Sequence, residues 1–230
     1  MNNQIELVLV HGWGFDLNCW EPWHSLAGKQ LTQVFYDRGY FGAPNRLDVV
    51  MPTDRTRVVV AHSLGAHFLT SEILDDAQLL VIIAGFGQYH DGFSEQRRSR
   101  ATTEAMRRKV SRSPLTVVSD FHNRCGYTTV FIADTSTFHT DLLATDLDLL
   151  DEHRLDLKAL SKIPKTLLLH GGVDEINPLQ NSELLRDALP GAILKVHPEA
   201  PHALPFTHAK WCIDAINELV PIRSDVSTPA

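Results

Sequence analysis

The sequence predicts an α/β fold: a mostly parallel, doubly wound sheet with an inserted helical cap. Three observations predict it. Six short runs rich in Val, Ile and Leu are almost continuously apolar, the pattern of strands buried on both faces. Helical patterns follow several of them, and this alternation implies right-handed crossovers in an open sheet. A polar, charge-rich stretch from Phe86 to Ser161 interrupts the alternation, after which strands resume, so it reads as a cap inserted at about 86–161 into a single domain spanning 1–230.

The strand expectations are Ile5–Val10, Thr32–Tyr36, Arg57–His62, Leu79–Ala84, Thr166–His170 and Ala192–His197. The first ends in His11-Gly12-Trp13-Gly14, and the second is closed by Asp37-Arg38-Gly39. Helical spacing covers Pro22–Leu31, Leu64–Leu74, Leu179–Leu189 and Pro205–Val220. Inside the cap, Ser113-Pro114-Leu115 reads as a helix start with an apolar face, on which Leu115, Val118 and Phe121 are candidates for lining an acyl pocket or for plain packing. Ser224–Ala230 reads as a frayed tail.

Bulk properties narrow the function. A chain of 230 residues that is 43% hydrophobic and 21% charged suits one soluble globular domain. No apolar stretch is long enough to span a bilayer, and the polar start Met1-Asn2-Asn3-Gln4 shows neither signal peptide nor anchor, so a cytoplasmic protein with no membrane partner is expected. Cys19, Cys125 and Cys212 are widely spaced and odd in number, which suits reduced thiols rather than a disulfide framework or zinc knuckle. A net charge of −7 argues against nucleic acid as a partner. Between Glu95 and Arg112, however, seven basic residues face two acidic ones, a local excess that suits either an anionic partner or a solvated helix face.

The chemistry centres on Val58-Val59-Val60-Ala61-His62-Ser63-Leu64-Gly65-Ala66. A β-branched run enters a serine with small residues two positions to either side, and a helical pattern follows. This is the nucleophile elbow, whose tight bend strains the serine and exposes its hydroxyl; Ala61 stands where glycine is usual. An elbow needs two oxyanion donors. The backbone N–H of Leu64 is one, and the loop after the first strand supplies the other, assigned to Trp13. The acid and base should follow in that order: Asp174 leaves a strand after His170-Gly171-Gly172, with Glu175 as competitor, and His202 follows the last strand, with His197 as rival. No His-x-x-x-His pair has a metal-site context, so neither metal nor cofactor is expected.

With these residues in place, the chain resembles the α/β-hydrolase superfamily, and within it the pimeloyl-[acyl-carrier-protein] methyl ester esterases of biotin synthesis. The resemblance rests on Leu7–Gly14, the Ser63 elbow, Leu157–Pro164, His170–Pro178 and His202–His208. It implies an α/β-hydrolase fold and hydrolysis of a methyl ester on a carrier-bound acyl chain, with Ser63, Asp174 and His202 as triad. It also implies that basic cap residues, here Arg97, Arg98, Arg107 and Arg108, contact an acidic acyl carrier protein. The segment between Gly42 and Arg57 is shorter than in many relatives, and the cap differs in sequence from theirs. A general short-chain carboxylesterase or thioesterase would use the same triad, and a hydrolase fold recruited as a ligand receptor would keep it without turnover.

Overall fold

All six apolar runs are strands in the computed structural model, which describes residues 4–24, 31–45, 55–128 and 135–222. They are β1 (Ile5–Val10), β2 (Leu31–Tyr36), β3 (Thr56–His62), β4 (Ala77–Ile83), β5 (Thr166–Gly171) and β6 (Ile193–His197). They form one sheet in the order β2-β1-β3-β4-β5-β6, every neighbouring pair parallel. From β1 the chain moves outward to β2 and then returns to the other side of β1 as β3. The direction of winding therefore reverses between β1 and β3, and the crevice beyond their carboxyl ends is the topological switch point where such sheets bind ligands.

Nine α-helices occur among the described residues: α1 (Glu21–His24), α2 (Ser71–Leu74), α3 (Gln96–Val110), α4 (Pro114–Arg124), α5 (Thr140–Glu152), α6 (Leu157–Leu160), α7 (Leu179–Ala188), α8 (Leu204–Thr207) and α9 (Ala209–Asn217). Because strand side chains alternate, Leu7, Leu9, Val58 and Val60 face one layer while Val8, Val10, Val59 and Ala61 face the other. The first layer contains Trp20, Trp23 and the apolar face of α9 (Cys212, Ile213, Ile216). The second contains Val110, Val117, Leu143 and Leu147 from the helices between β4 and β5. The three cysteines are free and buried, and among the described residues no helix is long and apolar enough to cross a membrane.

Three helical expectations change. The run Leu64–Leu74 is a 3₁₀ helix, Ser63–Phe68, followed by the separate α2, because Leu69 and Thr70 are extended between them. Thr70 is the residue before α2, a position its type favours over a helix interior. Pro205–Val220 divides at His208 into α8 and α9. Of Pro22–Leu31, Pro22 to His24 belong to α1, Leu31 opens β2, and 25–30 lie outside the described residues, as do 46–54 of the short connection after Gly42 and the whole tail 224–230.

The inserted helices are anchored through α5. The Trp13 indole donates to the Leu143 carbonyl at 2.8 Å. Arg38 grips Asp146 with two hydrogen bonds of 2.7 and 2.8 Å, and the Tyr40 hydroxyl donates to the same carboxylate at 2.7 Å. Asp146 is 1% exposed. A buried carboxylate with three charge-assisted or hydroxyl donors is satisfied, whereas removing one partner strands its charge.

Candidate active site

Ser63 sits at the carboxyl end of β3 with φ of +52°. A non-glycine residue in that region is strained, and the strain turns the side chain out of the sheet at the switch point. Gly65 explains itself by contact: a Cβ there would lie 2.6 Å from the His11 carbonyl oxygen and 2.8 Å from that of Val10. Gly12 does the same from the other side, since a Cβ on it would meet the His62 carbonyl oxygen at 3.0 Å and the Ser63 Cβ at 3.1 Å. These two glycines press the loop after β1 against the elbow. At the remaining small position, Ala61 is fully buried and pairs with Val10 in register, so its methyl is accommodated.

His202 lies between serine and acid. Its Nε2 is 3.1 Å from Ser63 Oγ, and its Nδ1 is 2.7 Å from Asp174 Oδ2. An ionised carboxylate only accepts, so Nδ1 carries the hydrogen and the Nε2 lone pair faces the serine hydroxyl. The other carboxylate oxygen, Oδ1, accepts the backbone N–H groups of Ile176 and Asn177, each at 2.8 Å. Burial pushes the Asp174 carboxyl up, but the neighbouring His202 and the hydrogen bonds outweigh it and hold the group below its ordinary value. Asp174 is therefore an anion that holds the imidazole through its Oδ2.

The rival residues fall away. Glu175 is exposed and its backbone carbonyl accepts from Arg124. His197 packs against His208 and Trp211, at ring separations of 4.6 and 5.3 Å. Two supporting residues were not visible in the sequence. His62, fully buried, donates from Nε2 to the His202 carbonyl at 3.1 Å and so holds the backbone of the base. Burial, with His202 beside it, pushes its pKa well below the ordinary imidazole value, which keeps it neutral. Asn177 donates its amide to the carbonyls of Ala84 and Gly85 at 2.9 and 3.0 Å, tying the acid loop to the end of β4.

Both oxyanion candidates border the site. Trp13 and Leu64 line a cavity of about 330 Å³ together with Ser63. The Trp13 backbone N–H donates to no other described residue, and Leu64 lies in the first turn of the 3₁₀ helix, where N–H groups lack partners within the helix. His11 braces the loop: its Nε2 accepts the Arg38 N–H at 3.1 Å and its Nδ1 donates to the Gly12 carbonyl at 2.8 Å.

Of the three acyl-pocket candidates, Phe121 lines the cavity. Leu115 does not: it is 39% exposed on α4, whose Val117 and Val118 are buried. Val118 is fully buried in the second core layer and acts as packing. The basic residues lie on α3, but much of their charge is already matched. Arg107 and Arg108 bond to Glu104, whose pKa falls to about 2 as a result. Arg107 also approaches Asp148 of α5, Arg100 pairs with Asp151 and Lys109 with Asp120. Arg97 is exposed, and Arg98 lies 3.8 Å from Glu95 at the cavity. The local excess counted along the sequence is thus largely offset by acidic side chains on α4 and α5 and within α3.

The alpha/beta hydrolase family matches residues 7–215. The chain belongs to that family. No curated protein matches this alpha/beta hydrolase. Among solved structures it is similar to an esterase from Exiguobacterium antarcticum, with a TM-score of 0.72, 14% identity and coverage of 96% of this chain and 93% of the other. A thermophilic esterase from Thermogutta terrifontis gives a TM-score of 0.70, 18% identity and coverage of 96% and 92%. A bromoperoxidase from Bacillus anthracis gives 0.66, 21% identity and coverage of 95% and 92%. At these identities the likeness is one of fold.

Proposed function

We propose that this alpha/beta hydrolase is a serine carboxylesterase that works through an acyl-enzyme. The observation that carries the reading is the continuous relay Asp174–His202–Ser63 opening on the cavity floor. Ser63 Oγ attacks the ester carbonyl as its proton passes to His202 Nε2. The negative oxygen of the tetrahedral intermediate is held by the N–H groups of Trp13 and Leu64, each worth about 3 kcal/mol in reactions of this type. The alcohol leaves with the proton from His202. Water, deprotonated by the same imidazole, then releases the acid and restores Ser63.

The cavity volume of about 330 Å³ is at the small end for ligand sites, which suits an acyl chain of modest length. The resemblance to pimeloyl-[acyl-carrier-protein] methyl esterases supports a finer assignment: the methyl ester of a carrier-bound pimeloyl chain, cleaved in the cytoplasm during biotin synthesis, with α3 facing an acidic carrier. Support for the docking role comes from exposed Arg97 and from Arg98 at the cavity, rather than from Arg107 and Arg108, which are held by Glu104. A short-chain carboxylesterase or thioesterase is the alternative that shares the relay.

Hydrolysis of short p-nitrophenyl esters tests the chemistry: Ser63→Ala is expected to abolish it, and unchanged turnover would end the assignment. Complementation of a biotin-auxotrophic strain lacking the methyl esterase tests the finer reading. Replacing Arg97 and Arg98 with glutamate should lower cleavage of carrier-bound ester selectively, with a weaker salt dependence than the parent. Equal losses on carrier-bound and small esters would remove the carrier protein from the account.

A further inference from the structure

One wall of the active-site cavity is a single stripe of α3 and its preceding residue. Glu95, Arg98, Ser99, Thr102, Thr103 and Met106 line it, at the spacing of one helical face. The rest of the lining is mainly apolar, including Phe93, Phe121 and Ile176, with Tyr89, Arg124 and Glu175 among it. A cavity built only for an alkyl chain needs no hydroxyl row, and uncompensated polar groups against a methylene chain are costly.

The threonine hydroxyls of that row have their protons committed. Thr102 Oγ1 donates to the Arg98 carbonyl at 3.0 Å, and Thr103 Oγ1 donates to the Ser99 carbonyl at 3.2 Å. Ser99 Oγ is 2.8 Å from His90 Nδ1. His90 is fully buried, and burial, with Arg100 nearby, holds its pKa below the ordinary imidazole value, so the ring is neutral. Its Nε2 lies 3.1 Å from Asp151 Oδ1. The Ser99–His90 contact allows either direction of donation, so the row's committed hydroxyls are those of Thr102 and Thr103, each left with lone pairs and no proton for a ligand.

We infer that the substrate's cavity-bound arm carries hydrogen-bond donors, amide N–H or hydroxyl, along one edge, with apolar surface along the other. The inference rests on the serine-esterase reading and names a substrate class for the same site that competes with the pimeloyl refinement, whose methylene chain offers no donors. Thr102 and Thr103 are then specificity-determining residues: they accept from the donor edge, while Phe93 and Phe121 contact the other. A plain alkyl ester of the same length leaves those lone pairs desolvated and unmatched.

The test uses three esters of equal length: one with an amide in mid-chain, one with a hydroxyl there and one with methylene alone. The parent is expected to show higher kcat/KM on at least one donor-bearing ester than on the methylene ester. In Thr102→Val and Thr103→Val that ratio is expected to fall about 2- to 12-fold for each hydroxyl removed, and Thr102→Ser should restore it. Equal turnover of the three esters by the parent, or a ratio unchanged in both valine variants, would overturn the inference. p-Nitrophenyl acetate is too short to span the cavity and reports on the relay alone, so its hydrolysis by the parent separates failure of this inference from failure of the esterase reading. Calorimetric binding of the same three esters to Ser63→Ala reads the preference without turnover; equal affinities there would likewise overturn it.

Discussion

Replacing Gly65 with alanine tests whether the loop after β1 and the elbow act as one unit. Helix propensity alone predicts a gain of about 1 kcal/mol for this change, since Gly65 lies inside the 3₁₀ helix Ser63–Phe68. The packing predicts the opposite. The new Cβ would lie 2.6 Å from the His11 oxygen and 2.8 Å from the Val10 oxygen, both backbone atoms at the end of a central strand. To reach ordinary contact the two segments must separate by about 0.4 to 0.8 Å, an overpacking that costs about 1–3 kcal/mol. The displaced segment carries Trp13, whose N–H is assigned to the oxyanion. A misplacement of about 1 Å can cost about 100-fold in rate, so kcat/KM should fall about 10- to 100-fold. Gly42→Ala is the control, because nothing lies within 4 Å of the added methyl. The assay is p-nitrophenyl acetate hydrolysis alongside thermal unfolding. Parent-like kcat/KM in Gly65→Ala would refute the coupling of loop and elbow.

Two other outcomes follow from the same geometry. Asn177→Leu removes the amide that serves the Ala84 and Gly85 carbonyls; with each buried acceptor left unmatched costing about 1–3 kcal/mol, denaturant midpoints should drop clearly and activity should fall as the Asp174 loop loosens. On acidification, stability should decline in two successive ranges. The half-buried His67, ordinarily near 6.5 but lowered to about 4 by desolvation and the neighbouring His153, is neutral in the fold while the unfolded chain takes up a proton, so stability present above 6.5 is lost as pH falls toward 4. Asp174, lowered from 3.8, contributes stability that is full above that value and is lost as pH falls through its depressed folded value. Urea unfolding across pH 7 to 3 checks both, and a flat profile between 6.5 and 4 would contradict a neutral His67.

The relay was legible in the sequence because each member sits just beyond the end of a parallel strand, where apolar periodicity stops and a turn begins. Ser63, Asp174 and His202 follow β3, β5 and β6 in that way. Their supports were not legible. His62 and Asn177 act through side-chain bonds to carbonyls of His202, Ala84 and Gly85, partners set by tertiary packing and, for His62, 140 residues away in sequence. The positive excess of α3 was real as a count, yet its partners Asp148 and Asp151 lie on α5, and only the packing of the two helices brings them together. Leu115 and Val118 had the right chemistry for an acyl pocket, but the packing of α4 leaves Leu115 in solvent and buries Val118 in the core, and only Phe121 reaches the cavity. The helix expected from Leu64 to Leu74 divided because Leu69 and Thr70 are extended, Thr70 standing at the position before α2 that its type favours.

The central claim is that Ser63 is a nucleophile activated by His202. Intact-mass and peptide analysis after treatment with a fluorophosphonate measures it most directly. The account predicts a single stoichiometric adduct on the Ser63 peptide, lost in Ser63→Ala and slowed about 1,000-fold or more in His202→Ala. A parent that remains unlabelled, or an adduct on another residue that persists in Ser63→Ala, would contradict it.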